Sequence, residues 1–335
     1  FVLSGFIMFH TYGNMSSAPE LKRFIWLRLF RTYPLHLVML FVFLAYETLQ
    51  YLLVTLYNFP TTTPPFSDNN AGTLLLNVLL LNGVGITDLT FNTPSWSIST
   101  EFWAYIVFGL SMLSLAHQRG RLLVFTAIGL GALGFLAMQP EPSLTVHWER
   151  FFPRCLFGFV MGAVLRGVMD VPRTAAPSHA GHDVLQLVCM AVSVGLVSAA
   201  GDGLKWIELL APFAFAALIA SFVAWPATRV VRGLINAPLL WLGKVSYSIY
   251  MVHQFVLLMV EAFMKIVLKA PVEDEVLMVG NTVGSFALVF SLALVLCVAA
   301  FTFHFVEEPA RRIGRTWLDN TAPSRREPSP SASAP

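Results

Sequence analysis

Residues 22–34 read KRFIWLRLFRTYP and place four cations, Lys22, Arg23, Arg28 and Arg31, between two strongly apolar segments. Lys and Arg resist translocation, so a short basic connection of this kind stays in the cytoplasm and orients every helix after it. Arg28 and Arg31 are three residues apart. A helical turn would put them on one face, where they could hold an anion. Pro34 then suits the first turn of the helix that follows. Orientation charges alone would explain the same residues and are the plainer reading of such a loop; the Tyr33-Pro34 that follows is what weighs against it.

The composition sets the class. Of 335 residues, 56% are hydrophobic and 12% charged, against about 25% charged in globular domains. Repeated apolar runs of roughly 18 residues or more make a polytopic membrane protein. The net charge is +2, and the basic residues sit at helix ends, not along a stripe, which argues against nucleic acid as a partner. Cys155, Cys189 and Cys297 are odd in number, far apart and in apolar contexts. They support neither a disulfide framework nor a zinc site, and read as small buried apolar residues; no metal is expected. The sequence opens FVLSGF, without Met. As a helix, residues 1–13 would span only ~20 Å of a ~30 Å hydrocarbon core. The expectation is a start inside a transmembrane helix, with at least one segment upstream.

Apolar helices are expected near 1–13, 34–57, 96–115, 121–138, 150–168, 183–200, 206–225, 246–268 and 276–306. A shorter apolar piece, 73–84, carries Asn77 and Asn82 and ends at Gly83 and Gly85. At this length it reads as a re-entrant or interfacial segment. If it does not span, the basic connections 22–31, 119–121, 166–173, 229–232 and 311–315 all fall in the cytoplasm, and the stretch 58–95, free of Lys and Arg, falls outside. The expected fold is an all-α polytopic membrane protein: nine transmembrane helices here plus the short helix, with one upstream helix making ten. Residues 1–312 form the membrane domain. Residues 313–335, rich in Pro, Ser, Arg and Glu, read as a disordered cytoplasmic tail.

Ionisable groups inside bilayer helices are costly and are candidate functional residues. In WSISTE, 96–101, Ser97 and Glu101 are four apart and share a helix face, with Trp96 at the helix start. A helix cap with a dipole-stabilised carboxylate would look the same. In SYSIYMVH, 246–253, Ser246, Tyr250 and His253 follow the i, i+4, i+7 rule. A buried neutral His beside a hydroxyl is an available proton acceptor, and a packing His is the plainer alternative. In FVEEPARR, 305–312, Glu307 could pair with Arg28 or Arg31 across the cytoplasmic face, or locally with Arg311. Glu47 lies midway along an apolar run; unpaired there, it would be protonated. Arg150 and Arg154 read as anchors at a helix entrance.

FVLSGF, R-x-x-R-x-Y-P at Arg28, Arg31, Tyr33 and Pro34, W-S-I-S-x-E at 96–101, S-Y-S-I-Y-x-x-H at 246–253 and F-x-E-x-P-x-R-R at 305–312 occur in this order. Together they resemble the membrane-bound acyltransferase family 3, which includes bacterial O-acetyltransferases of lipopolysaccharide, exopolysaccharide and Nod factors, and macrolide acylases. The resemblance implies a ten-helix core in the bacterial inner membrane. It implies acetyl-CoA or another acyl-CoA as donor, approached from the cytoplasm, and a hydroxyl of a carbohydrate or lipid-linked glycan as acceptor. His253 and Glu101 become catalytic candidates; Arg28, Arg31 and Tyr33 become donor-binding candidates. Ser97, Trp96, Tyr250, Ser246, Glu307 and Arg311 would support them. Two departures stand out. The family's first helix, with a basic residue and a His taken as the principal base, is not in these residues. Glu307-Glu308-Pro309 also replaces the more usual Glu-Arg-Pro. The rivals are a glycan transporter or flippase and a non-catalytic scaffold of a polysaccharide-synthesis complex.

Overall fold

A computed structural model describes residues 1–59, 61, 63–86, 88–114, 117–139, 148–169, 179–201, 205–269, 272–273, 276–277 and 280–321. The regular structure of the described residues is helical apart from a short antiparallel ladder, Val272–Glu273 with Val276–Leu277. The helices are α1 Val2–Tyr12, α2 Ala18–Tyr57, α3 Ala71–Val78, α4 Trp96–Ser114, α5 Gln118–Ala137 and α6 Phe151–Val168. They continue with α7 Ala180–Gly201, α8 Ala211–Ala224, α9 Arg229–Leu234, α10 Ala237–Ile266, α11 Asn281–Thr302 and α12 Glu308–Thr321.

Among the described residues, seven helices are long and apolar enough to cross a membrane, against the nine spans expected. Two expected spans fall short for different reasons. Helix α1 has 11 residues. Helix α4 has 19, but Glu101 and the serines and threonine of its first turns dilute its apolar character. The short helix α3 has eight residues, ~12 Å at 1.5 Å per residue, and cannot span.

The basic stretch is not a loop. Residues 22–34 lie inside the 40-residue helix α2, and Pro34 sits within it instead of starting a new helix. A proline there removes the bond to the carbonyl four residues back, at a cost of about 3 kcal/mol. Tertiary contacts hold the helix through that point. Arg23 pairs with Asp319 of α12 at 2.7 Å, and Trp26 and Phe30 pack on Trp317. Helix α12 itself covers residues 313–321, where a disordered tail was expected; the remainder of that tail, 322–335, lies outside the described residues.

Several basic connections meet at one end of the bundle. Arg121 donates to the carbonyls of Gly13 (2.6 Å) and Met15 (3.3 Å) in the turn before α2. Arg166 reaches His10 at the end of α1 (2.9 Å). Arg23 and α12 share that end. A common basic end is what the positive-inside rule requires.

Among the described residues two large apolar clusters, with a small third at Ala132, Leu136 and Phe157, form the core. One large cluster joins Phe9, Phe24, Phe108, Phe125 and Phe159; the other joins Leu40, Phe43, Ile98, Met251 and Val252. Helix α1 is pressed onto α6 through glycines. A Cβ at Gly162 would overlap the carbonyl oxygen of Val2, and one at Gly5 would overlap that of Phe159. With Gly158 and Gly162 four apart, this is the small-residue contact that lets membrane helices approach closely. Gly162→Leu is therefore expected to destabilise the protein by about 1–3 kcal/mol through overpacking. Gly131→Ala, where a Cβ meets nothing within 4 Å, should leave the thermal midpoint in detergent unchanged.

Candidate active site

A cavity of about 990 Å³ lies among α1, α2, α4, α6, α7, α8 and α10. Its volume is at the upper end for ligand sites. Members of both large core clusters line it, Met8 and Tyr105 from one and Ile98 from the other. Its charged lining is Arg28, Arg31, Glu101, Arg154 and Glu208.

Helix α4 shows how the site is built. Its first turns present two faces. Ser99 donates to the Leu80 carbonyl (2.5 Å) and accepts from the Gly83 N–H (3.0 Å), and Trp103 Nε1 also donates to Leu80 (2.8 Å). Asn82 donates to Ser95 (2.8 Å). This face clamps α4 to the turn after α3. The opposite face, Ser97 and Glu101, lines the cavity. The approach to α4 is fastened to α10: Asn92 donates to the Met251 carbonyl (3.0 Å) and Thr93 to Gln254 (2.7 Å). These bonds set Glu101 against the face of α10 that carries Ser246, Tyr247 and Tyr250.

Glu101 is the polar centre. Ser4 Oγ donates to its Oε1 in a short hydrogen bond, and Tyr105 OH donates to the same oxygen at 2.7 Å. The two hydroxyl oxygens are 3.2 Å apart. Arg28 lies with its guanidinium 5.7 Å from the Tyr12 ring centroid, donates to Tyr12 OH at 3.4 Å, and leaves its buried Nε without a partner. Arg31 is exposed and makes no hydrogen bond or ion pair among the described residues. Thr32, beside it, accepts through its carbonyl from Tyr247 OH. Elsewhere on the wall, Trp96 stacks on Phe151 (4.3 Å, 19°), and the Arg154 guanidinium lies 5.5 Å from the Trp96 ring centroid. Arg154 thus faces the cavity and is not simply an anchor at a helix entrance.

The sequence candidates divide. Arg28, Arg31, Trp96, Ser97, Glu101, Ser246 and Tyr250 share the cavity; His253, Tyr33, Glu307 and Arg311 do not line it. His253 Nδ1 meets the Tyr250 carbonyl at 2.7 Å. Tyr33 OH donates to the Val78 carbonyl at 2.8 Å and anchors α3. Glu307 is 2% exposed, accepts from Ser248 (2.9 Å) and pairs locally with Arg311 at 3.5 Å, not with Arg28 or Arg31. It ends a π-helical turn, Phe303–Glu307, that joins α11 to α12. Glu47 is paired rather than isolated, accepting from Asn69 and from the Phe66 N–H. Only Cys155 of the three cysteines is fully buried; Cys189 is half-buried and Cys297 exposed. Among the described residues no group of three or more His, Cys, Asp or Glu gathers as metal ligands. Ser4, Tyr105, Tyr247 and Glu208 were not among the site residues expected from the sequence. Ser4 and Tyr247 lay within the quoted motifs FVLSGF and SYSIYMVH, and Tyr105 is one helical turn beyond Glu101; Glu208 carried no signal.

A family model described as an acyltransferase domain matches residues 1–302. The acyltransferase MdmB of Streptomyces mycarofaciens is 27% identical over 285 residues, which is 77% of this chain and 66% of that protein. The chain spans just under two thirds of that relative's length. No solved structure matches.

Proposed function

The chain belongs to acyltransferase family 3, whose model takes in residues 1–302, and on that premise we propose that it moves an acyl group, acetyl first, from acyl-CoA to a hydroxyl of a carbohydrate or related acceptor at the bacterial inner membrane. One observation carries the reading: two arginines and a carboxylate from helices far apart in sequence line one cavity. Acyl transfer from a thioester needs a grip on the donor's phosphates, a proton acceptor for the attacking hydroxyl and donors for the developing oxyanion. Arg28 and Arg31 suit the first task, since guanidinium forks match phosphate oxygens. The apolar lining, with Val2, Leu3, Ile7 and Met8, suits a pantetheine arm. Within these residues Glu101 is the group suited to take the proton of the acceptor hydroxyl as it attacks the thioester carbonyl, beside the upstream His that the resemblance implies as principal base. The C–S bond breaks as the ester forms, the proton passes from Glu101 to the departing sulfur, and CoA leaves as the thiol with the carboxylate restored.

In this reading the basic end of the bundle faces the cytoplasm, where acyl-CoA is available, and the C-terminus shares that side. Off the cavity lining and with its Nδ1 on the Tyr250 carbonyl, His253 is read here as support for Tyr250, not as the base. His253→Ala is accordingly expected to slow turnover by about tenfold or less, below the range for loss of an acid–base group, as measured by thiol release from acetyl-CoA.

Proteoliposomes holding the protein and a lipid-linked glycan test the proposal against a transporter. The expected result is thiol release that depends on both acetyl-CoA and glycan. Movement of the glycan between leaflets without any acyl-CoA would favour transport instead.

A further inference from the structure

We propose that Ser4 and Tyr105 are positioning residues, which hold one oxygen of the Glu101 carboxylate so that the other is presented to the reacting hydroxyl. The inference rests on the acyltransfer reading of this cavity. It begins with an asymmetry. Both donors to Glu101, Ser4 Oγ and Tyr105 OH, go to Oε1. Among the described residues Oε2 has no hydrogen-bond partner, and it is not sealed in the core. Each hydroxyl has one proton to give. With the carboxylate ionised, both protons are spent on Oε1, so the 3.2 Å approach of the two hydroxyl oxygens has none left to bridge it. The pair is aimed at the carboxylate.

A carboxylate at the end of two methylenes has rotational freedom about its last torsion. Two donors on one oxygen remove most of that freedom and leave the second oxygen with its lone pairs open to the cavity. All three residues line that cavity. The donors come from different directions. Tyr105 is one turn along α4 from Glu101 and is 6% exposed. Ser4 comes from α1, whose register against α6 is fixed by the contacts at Gly5 and Gly162. The hydroxyl of Ser4 is therefore set by helix packing and not by a local turn.

Turnover of acetyl-CoA by membranes containing the full chain, with thiol release as the readout, tests the assignment. Ser4→Ala and Tyr105→Phe should each lower kcat about tenfold, because a misplacement of about an ångström at a reacting group costs up to ~10² in rate. KM for acetyl-CoA should stay within about twofold, since neither residue touches the arginines. Ser4→Thr, which restores the hydroxyl, should recover most of the rate. Thermal midpoints measured alongside should match the parent's to within about 2 °C. The assignment is overturned if Ser4→Ala and Tyr105→Phe turn over like the parent while Glu101→Gln is inactive, or if Ser4→Thr is as slow as Ser4→Ala. A parental rate in Glu101→Gln would instead sink the acyltransfer reading of the site, and this inference with it.

Discussion

Glu101→Gln is expected to lower acyl transfer about a thousandfold, the middle of the range for a lost general base, or about 4 kcal/mol of transition-state stabilisation. The substitution keeps the shape and the acceptor oxygen that Ser4 and Tyr105 use, so the fold should survive. What it removes is the only carboxylate among the cavity-lining residues of α4. The other glutamate on the wall, Glu208, belongs to the segment before α8 and lies beside Arg154. It has no bond to the Ser4–Tyr105 pair, so it is not placed to take over. The measurement is single-turnover transfer from acetyl-CoA, compared with the parent at equal folded protein. A loss smaller than tenfold would move the base elsewhere.

The second large effect concerns the donor. Removing both Arg28 and Arg31 by substitution with Ala should weaken acetyl-CoA binding about a hundredfold. A hydrogen bond to a charged group contributes ~1.5–3 kcal/mol, and two neighbouring guanidiniums on one ligand are not strictly additive. The loss should fall on Kd and KM, with kcat at saturating donor changed far less, because phosphate contacts are the same in ground and transition states. Arg31→Lys should sit between, since it keeps the charge and loses the fork. Equilibrium binding of labelled acetyl-CoA to detergent-solubilised protein gives these constants. Equal affinities for the parent and the double variant would remove the pair from the donor site.

Much of this arrangement was readable from sequence because helical periodicity is local. Ser97 and Glu101 are four apart and do share the cavity face, and Ser246 and Tyr250 do so on α10. His253 shows where periodicity stops. Seven residues on from Ser246 restores the angle but also moves ~10 Å along the axis, and the cavity does not extend that far. Pro34 misled in another way. Proline usually starts or ends a helix, yet between Ala18 and Tyr57 no glycine interrupts the run, and α12 holds the first half of α2 in line. Nothing local could disclose that support, since Asp319 lies 296 residues from Arg23. The same distance problem hid Ser4, a lone serine 97 residues from its carboxylate, and made Glu47 look unpaired when Asn69 reaches it from a loop.

The central claim is that an activated acyl unit meets an alcohol at Glu101 inside this cavity. It is tested most directly by following the label of [¹⁴C]acetyl-CoA in membranes that contain the parent chain or Glu101→Gln. With the parent, label should appear in the glycan and lipid fraction as an ester released by mild alkali, and with Glu101→Gln it should fall to background. Equal ester label with both chains would contradict the account.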